Sequence, residues 1–92
     1  MKTIKVSKEE IKLFEILKKE AEISEIKEKI SFFEKKYRCN FKEFEKRIKK
    51  LKKENFKMWD DYIEWEGFVK YLHKLERELK EIKNATDIKI TE

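Results

Sequence analysis

Residues 65–82 read WEGFVKYLHKLERELKEI, and their apolar side chains recur at alternating steps of three and four. The positions in this series are Trp65, Phe68, Leu72, Leu75, Leu79 and Ile82. Such coiled-coil spacing places one narrow apolar seam along a helix and predicts a second long helix lying beside it. Because Asn55 precedes the pattern and Asn84 follows it, we expect this helix to run over about residues 57–84.

Capping patterns predict two further helices upstream. Ser7 followed by Glu10 forms a capping box, in which the serine oxygen and the glutamate satisfy free amides at a helix start. Asn40 with Glu43 gives a second capping pattern. The apolar positions after it are Phe41, Phe44, Ile48 and Leu51. We therefore expect helices over about 8–37 and 41–54.

The first of these helices contains two apolar stripes that do not share one frame. The stripes are Ile11, Phe14, Leu17 and Ala21, followed by Ile23, Ile26, Ile30, Phe33 and Tyr37. Ser24 lies where the frame changes and could cap a new helix. We expect a kink or tight turn at 21–24, although a continuous helix stays open because no glycine or proline occurs there.

Both ends of the chain have the alternating pattern of a short strand. Ile4 and Val6 alternate with polar residues in 2–6, and Ile88 and Ile90 do so in 87–91. The predicted fold is therefore a single all-α domain over 1–92. It is a long-helix hairpin or bundle of three to four helices, with short β-strands at the N and C termini.

The composition favours a folded, soluble, cytoplasmic protein. Charged residues make up 49% of the chain, but 25 basic and 20 acidic residues nearly balance, and 13% of residues are aromatic. This is more periodic apolar surface than a disordered tail has. We find neither a secretory apolar region at the start nor an apolar stretch near the roughly 18 residues that a membrane span needs.

The sequence offers little material for catalysis or metal binding. His73 and Cys39 are the only histidine and cysteine, and they fall in different predicted helices. We therefore expect no enzyme activity, no metal site and no cofactor. The acids Asp60, Asp61, Glu64 and Glu66 are the best candidates for a hard cation, but they lie in a helical pattern without the spaced oxygens and glycine turn of a calcium loop. Acids in a first helical turn are already explained by the helix dipole.

A basic run makes nucleic-acid contact possible. Residues 46–57 have a net charge of +6, and the candidate contacts are Lys46, Arg47, Lys49, Lys50, Lys53 and Lys57. The alternative is a solvated face, since charge alone reads no base. A separate DNA-binding possibility is a ribbon-helix-helix arm, in which Thr3 and Lys5 on the first strand would face the bases.

The aromatic segment before the seam is the strongest candidate for a protein-binding surface, because interfaces favour Trp, Tyr and Met at their centres. Its predicted partner-binding residues are Trp59, Tyr62, Ile63, Trp65, Glu66 and Phe68. Glu66 lies within the apolar face and needs a cationic or hydrogen-bonding partner. Gly67 would let a partner backbone approach. The alternative is that these residues fill the protein's own core, with Glu66 paired to Arg47.

Several segments resemble a group of small archaeal and bacterial proteins. The distinctive one is Trp59-Asp60-Asp61-Tyr62-Ile63-Glu64-Trp65-Glu66. The others are Phe33-Glu34-Lys35-Lys36-Tyr37, Phe41-Lys42-Glu43-Phe44-Glu45 and Glu54-Asn55-Phe56. The resemblance covers about 26–84. These proteins are often encoded beside toxin genes and interpreted as antitoxins, so the resemblance implies toxin neutralisation. They often have Gly-x-Ser where this chain has Arg38-Cys39-Asn40, so this helix junction must close without glycine.

Three functions follow as hypotheses. The first is an antitoxin-like, non-catalytic module that binds a partner protein, such as a toxin encoded by a neighbouring gene, through its aromatic helix. The second is a DNA-binding regulator of the ribbon-helix-helix or basic-helix kind. The third is a structural homodimer, since the seam at Leu72, Leu75, Leu79 and Ile82 predicts self-association if no other helix of the chain covers it.

Overall fold

The computed structural model describes residues 7–51, 53 and 55–85, and this part of the chain contains three helices. They are α1 (Lys8–Tyr37), α2 (Phe41–Lys49) and α3 (Phe56–Asn84). The prediction of an all-α fold built on long helices is confirmed. The strands predicted at 2–6 and 87–91 lie outside the described residues, and the described ranges contain no strand.

α1 and α3 lie antiparallel and form a long hairpin. At one end Lys36 Nζ contacts Asp61 Oδ2 at 2.6 Å, and towards the other end Lys19 Nζ contacts Glu78 Oε2 at 2.5 Å. The short α2 packs at the end where α1 finishes and α3 begins. Within the described residues, no helix is long and apolar enough to cross a membrane.

An asparagine or serine cap begins each helix, as the sequence predicts for the first two. Ser7 Oγ accepts the amide of Glu10 at 3.2 Å, and Asn40 Oδ1 accepts the amide of Glu43 at 2.9 Å. Asn55 Oδ1 accepts the amide of Met58 at 3.2 Å, so α3 begins at Phe56. Each bond satisfies an amide that lacks a partner within its helix.

α1 is continuous, so the kink or turn expected at 21–24 does not interrupt it. With 3.6 residues per turn, only one of its two apolar stripes can face α3. The second stripe does so, since Ile23, Ile26 and Phe33 are buried. The first stripe lies outside, where Phe14 is 64% exposed. A continuous helix is consistent with the absence of glycine and proline at 21–24. It leaves the apolar surface of the first stripe in solvent.

α2 ends at Lys49, earlier than the predicted 54, and Leu51 is 40% exposed. The amide of Lys50 donates to the Arg47 carbonyl and the amide of Leu51 donates to the Ile48 carbonyl, which closes the last turn. Lysines three and four residues apart repel each other along one helix face. The run from Lys46 to Lys53 has this spacing, and it disfavours extending the helix.

The core forms two clusters along the hairpin. At the α2 end, Phe33, Phe44, Ile48 and Trp65 are buried together. The other cluster is Ile23, Ile26 and Leu75, with Leu72 and Leu79 packed against it. The partner of the coiled-coil seam is therefore α1 of the same chain. Because α1 covers the seam, the condition on which we predicted self-association is not met there.

The turn between α1 and α2 uses a left-handed residue that is not glycine. Arg38 has φ 54° and ψ 40°, and it caps the C terminus of α1. This conformation brings the side-chain Cβ of any residue but glycine close to the following carbonyl, at a cost of roughly 1–2 kcal/mol. The junction thus closes without glycine by accepting backbone strain.

The same junction is held by Asp61 of α3, which accepts hydrogen bonds from Lys36 at 2.6 Å and from Tyr37. Burial raises the pKa of Asp61, but these two hydrogen bonds outweigh it and leave the pKa below its ordinary value. Burial, followed by the hydrogen bond to Asp61, raises the pKa of Tyr37, so the phenol stays protonated and keeps donating.

We expect Arg38→Gly to raise the free energy of unfolding by up to about 1 kcal/mol. Glycine removes the left-handed strain, and the greater freedom of the unfolded chain offsets part of that gain. Urea titration measures the change. Arg38→Ala is the control, because alanine keeps Cβ and should change stability by only about 0.5 kcal/mol. A Gly variant no more stable than the Ala variant would contradict the strain argument.

We expect the two tryptophans to respond differently to truncation. Trp65 is fully buried, so Trp65→Ala should cost about 3–5 kcal/mol through lost packing and the cavity left behind. Trp59 is 38% exposed, so Trp59→Ala should cost less than half as much. Thermal and urea unfolding followed by circular dichroism measure both. Equal losses would mean that Trp59 is part of the core.

We expect Asp61→Asn to change how stability depends on pH. A depressed pKa in the folded state gives stability that is present above the unfolded pKa, about 3.9, and lost as pH falls through the folded value. The difference in unfolding free energy between the wild type and the variant should be constant between about pH 5 and about pH 7, and it should shrink below about pH 4. Asp60→Asn, at an exposed carboxyl, controls for lost charge. A gap that ignores pH would refute the assignment.

Candidate protein-binding surface

The first half of α3 places its side chains on two opposite faces. Trp65 and its neighbours at helical spacing, Met58, Asp61, Phe68 and Leu72, face α1 and α2. Positions about half a turn away must then face outward. Phe56 is 75% exposed, Trp59 38% and Ile63 64%. We call Phe56, Trp59 and Ile63 the outer strip.

The six residues predicted to bind a partner are divided between these faces. Trp65 lies in the core and Phe68 packs against it, so a partner cannot contact Trp65 while the fold is intact. Trp59 and Ile63 lie on the outer strip. Tyr62 and Glu66 are half-buried between the two faces. The structure therefore brings two of the six, Trp59 and Ile63, onto the outer strip.

Sequence reasoning missed Phe56, which is the most exposed large apolar side chain on α3. Its signal was the spacing to Trp59 and Ile63, three and seven residues ahead, which places all three on one helical face. The composition of the aromatic segment predicts a single binding surface. In a helix with its core on one side, an apolar arc as wide as this segment's must contain both a buried and an exposed face.

Tyr62 links the outer strip to α2. Its hydroxyl donates to Glu45 Oε2 at 2.5 Å and also lies 3.1 Å from Glu66 Oε2. The hydrogen bond to Glu45, followed by burial, raises the pKa of Tyr62, so the phenol remains a donor. The Trp59 ring packs edge-on against the Tyr62 ring, with centroids 5.7 Å apart. This contact holds Trp59 in place on the surface.

Glu66 differs from the buried, unpaired acid that the sequence suggested. Its side chain is 34% exposed, and its other oxygen lies 3.4 Å from Lys70 Nζ. The suggested pairing with Arg47 does not form, because Arg47 donates instead to the Tyr37 carbonyl at 3.2 Å. Glu66 is therefore satisfied within the chain and accessible at the edge of the outer strip.

Gly67 continues the outer strip one turn after Ile63. The residue is exposed, and a Cβ built on it would meet nothing within 4 Å. Packing inside the chain therefore does not require a glycine here. A mid-helix glycine costs about 1 kcal/mol relative to alanine, so the position lowers stability without an internal benefit.

The indole of Trp65, on α3, is enclosed by aromatic rings from α1 and α2. Its ring centroid lies 5.6 Å from that of Phe33, 5.5 Å from Phe41 and 5.1 Å from Phe44. Its Nε1 is buried and has no hydrogen-bond acceptor. The surrounding ring faces can receive an N–H weakly. This polar atom is therefore part of the core and is not directed at a ligand.

The basic residues predicted to contact nucleic acid lie on a different surface, at the α2 end of the hairpin. They are exposed side chains on α2, after it and at the start of α3: Lys46, Arg47, Lys49, Lys50, Lys53 and Lys57. Thr3 and Lys5, the candidates for a ribbon-helix-helix arm, lie outside the described residues.

Reactive and metal-binding residues are dispersed. Cys39 lies in the turn after α1, not in a helix, and packs against the aromatic cluster. His73 is exposed on α3, eight residues beyond Trp65 and so roughly 12 Å farther along the helix. Asp61 is engaged by Lys36 and Tyr37. In the described ranges, no three His, Cys, Asp or Glu side chains form a group that could hold a metal ion.

Comparison with known proteins matches the chain to a family model. Neither the curated proteins nor the solved structures contain a protein that matches the chain. The family model covers residues 1–87, which include all three helices and the outer strip. The chain therefore belongs to the Uncharacterized protein MJ0235 family.

Proposed function

We propose that this protein is a non-catalytic module that binds and masks a partner protein through the outer strip. The observation that supports this most directly is the exposure of Phe56, Trp59 and Ile63 beside a core that is already filled by Trp65. Large apolar side chains grouped on a soluble surface mark interaction sites. Tryptophan is among the residues that contribute most to interface affinity.

The spacing of the outer strip fits a helix that packs against another surface along its length. Phe56, Trp59, Ile63 and Gly67 follow one another at steps of three, four and four. Such anchors let a helix lie in a partner groove. Gly67 would then allow the partner backbone to approach α3, a role that would explain its cost to helix stability.

Glu66 and Lys70 at the edge of the outer strip supply specificity in this proposal. Their ion pair is exposed enough to exchange for contacts with a partner. A partner with a basic group beside an apolar groove would satisfy Glu66, and a partner without one would leave its charge poorly paired. Apolar anchors would then provide affinity, and the charged edge would discriminate between partners.

We further propose that the partner is a toxin encoded by a neighbouring gene. This part depends on the resemblance of the Trp59–Glu66 run to antitoxin-like proteins. Within that run the outer strip uses Trp59 and Ile63, whereas Asp61, Tyr62 and Trp65 maintain the fold. The run can therefore serve folding and partner binding at once. The homodimer alternative would place a second copy on the same strip.

The test is binding between the purified protein and the neighbouring gene product, measured by calorimetry. We expect Trp59→Ala and Ile63→Ala each to weaken binding by about 2 kcal/mol, or roughly 30-fold, while the helical signal in circular dichroism is unchanged. Phe14→Ala is the matched control, because Phe14 is a 64% exposed aromatic on α1, near the end of the hairpin remote from α2. Equal effects of all three substitutions would exclude the outer strip as the interface.

Gly67→Ala separates the demands of folding and binding. Because an alanine Cβ there meets nothing within the chain, we expect the isolated protein to gain about 0.5–1 kcal/mol of stability. If the partner backbone approaches at this point, the same variant should bind more weakly. A variant that gains stability and binds normally would remove Gly67 from the interface. If the neighbouring product does not bind at all, and sedimentation shows a dimer that Trp59→Ala disrupts, the homodimer is supported instead.

A further inference from the structure

The α2 end of the hairpin concentrates the positive charge of the protein. Residues 35–57 contain 11 Lys/Arg and 3 Asp/Glu, a net charge of +8, whereas the whole chain has +5. The remainder is therefore net negative. In the fold, these residues are the last turn of α1, all of α2, the connection to α3 and its first two residues. The described residues among them occupy one end of the hairpin, which is consequently strongly basic.

Four of these cations face solvent on one side of α2. Its apolar side chains Phe44 and Ile48 point into the core, so positions half a turn away point outward. The exposed cations on that outward side are Lys42, Lys46, Lys49 and Lys50. In the described part of the chain, Lys49 is the one of these that contacts a carboxylate, Glu45, and it does so at 3.8 Å. The charge of this face is thus largely uncompensated.

A chain of contacts joins the basic face to exposed aromatic rings. Lys49 contacts Glu45, Glu45 accepts from the Tyr62 hydroxyl at 2.5 Å, and the Tyr62 ring contacts the Trp59 ring at 5.7 Å. Phe56 lies one turn before Trp59 and directly precedes Lys57. The α2 lysines are therefore connected to the exposed rings of α3 through Glu45 and Tyr62.

We propose that this basic end binds single-stranded nucleic acid, with phosphates held by the lysines of α2 and bases stacked on Phe56 and Trp59. Proteins that bind single strands combine a positive surface along the backbone with aromatic rings under the bases. A ring can stack on a base only where the base is unpaired, so this surface favours a single strand over a duplex. It has no arrangement for reading base edges, so binding is expected to be largely independent of sequence.

An anionic membrane fits the surface less well. Asp60 and Glu64 are exposed beside Phe56 and Ile63 on α3, and a flat anionic bilayer that contacts the rings would also contact these carboxylates. A single strand can bend away from them and still reach the rings and the lysines. The charge pattern therefore favours a flexible polyanion.

This inference goes beyond the proposed protein binding and can fail separately from it. Both use Phe56 and Trp59, but Ile63 belongs to protein binding alone and the α2 lysines to nucleic-acid binding alone. Ile63→Ala should leave nucleic-acid affinity unchanged. Loss of the lysines should leave the apolar anchors of the outer strip in place.

The test uses the full chain and a fluorescein-labelled oligouridine of about 12 nucleotides, which is long enough to span a single-strand site. Binding is followed by fluorescence anisotropy. Affinity should fall roughly 10- to 50-fold between about 50 and 200 mM salt, as expected for a few phosphate contacts. Lys49→Glu with Lys50→Glu should weaken binding at least about tenfold. The matched control is Lys27→Glu with Lys80→Glu, the same charge change at exposed sites remote from α2, which should have a much smaller effect.

The stacking role is tested by Phe56→Ala with Trp59→Ala, which should weaken binding about fivefold or more. Tryptophan fluorescence gives a second readout: the oligonucleotide should quench the wild type, and Trp59→Phe should abolish the quenching because Trp65 is fully buried. Circular dichroism checks that each variant is folded. Three results would overturn the proposal. The first is that truncating the rings leaves binding unchanged, while heparin displaces the oligonucleotide equally well from the variant and the wild type. The others are a duplex that binds as tightly as the single strand, and binding to phosphatidylserine vesicles without binding to the oligonucleotide.

Discussion

Trp65 is the side chain on which the three helices converge. It lies on α3, stacks on Phe33 of α1 and contacts Phe41 and Phe44 of α2, with no exposed surface of its own. Because a single indole fills the space between three helices, it fixes how far α1 and α3 can slide along each other. The pairing of Lys36 with Asp61 and of Lys19 with Glu78 is compatible with that one alignment. Removing the indole would affect all three helices at once.

The division of α3 into an inner and an outer face follows from this convergence. Once Trp65 faces inward, helix geometry turns Trp59 and Ile63 outward, and no other described helix covers them. A chain of this length offers few further surfaces that could do so. The exposed aromatic surface is thus a consequence of how the core is filled. Both proposed binding activities use it, one together with Ile63 and the other with the basic face of α2.

The sequence predicted the helices well because their starts and spacing are local properties. Ser7 and Asn40 cap where expected, and the seam from Trp65 to Leu79 does lie against a second helix. The sequence was insufficient where the outcome depends on which helix packs against which face. Spacing alone could not tell that α1 of the same chain covers Leu75, or that α1 would use its second stripe and leave Phe14 in solvent. Nor could it show that α2 ends at Lys49, where the amides of Lys50 and Leu51 bond back to the last turn.

The sequence predicted the segment that contains the candidate site, but it did not predict which of its side chains are exposed, because exposure depends on tertiary packing. The aromatic segment was recognisable from composition, but which rings face outward depends on the position of α2, a tertiary fact. Phe56 follows the cap at Asn55 and extends the exposed face, although in the sequence it looks like any residue at a helix start. The pairing of Glu66 with Lys70, in place of Arg47, likewise depends on where Arg47 points once α2 is packed.

The two ends of the hairpin are held together by different kinds of interaction. At the α2 end three helices share an aromatic cluster, whereas at the other end two helices meet through Lys19–Glu78, Glu20–Lys83 and the bonds from Lys12 to the carbonyls of Lys83 and Ala85. Ion pairs and single hydrogen bonds at a surface resist opening less than buried rings do. The first turns of α1 and the last turns of α3 should therefore fray together, and their amides should exchange with deuterium sooner than those around Trp65. Such local unfolding would be confined to the end formed by the first turns of α1 and the last turns of α3. The aromatic end and its surface would stay folded.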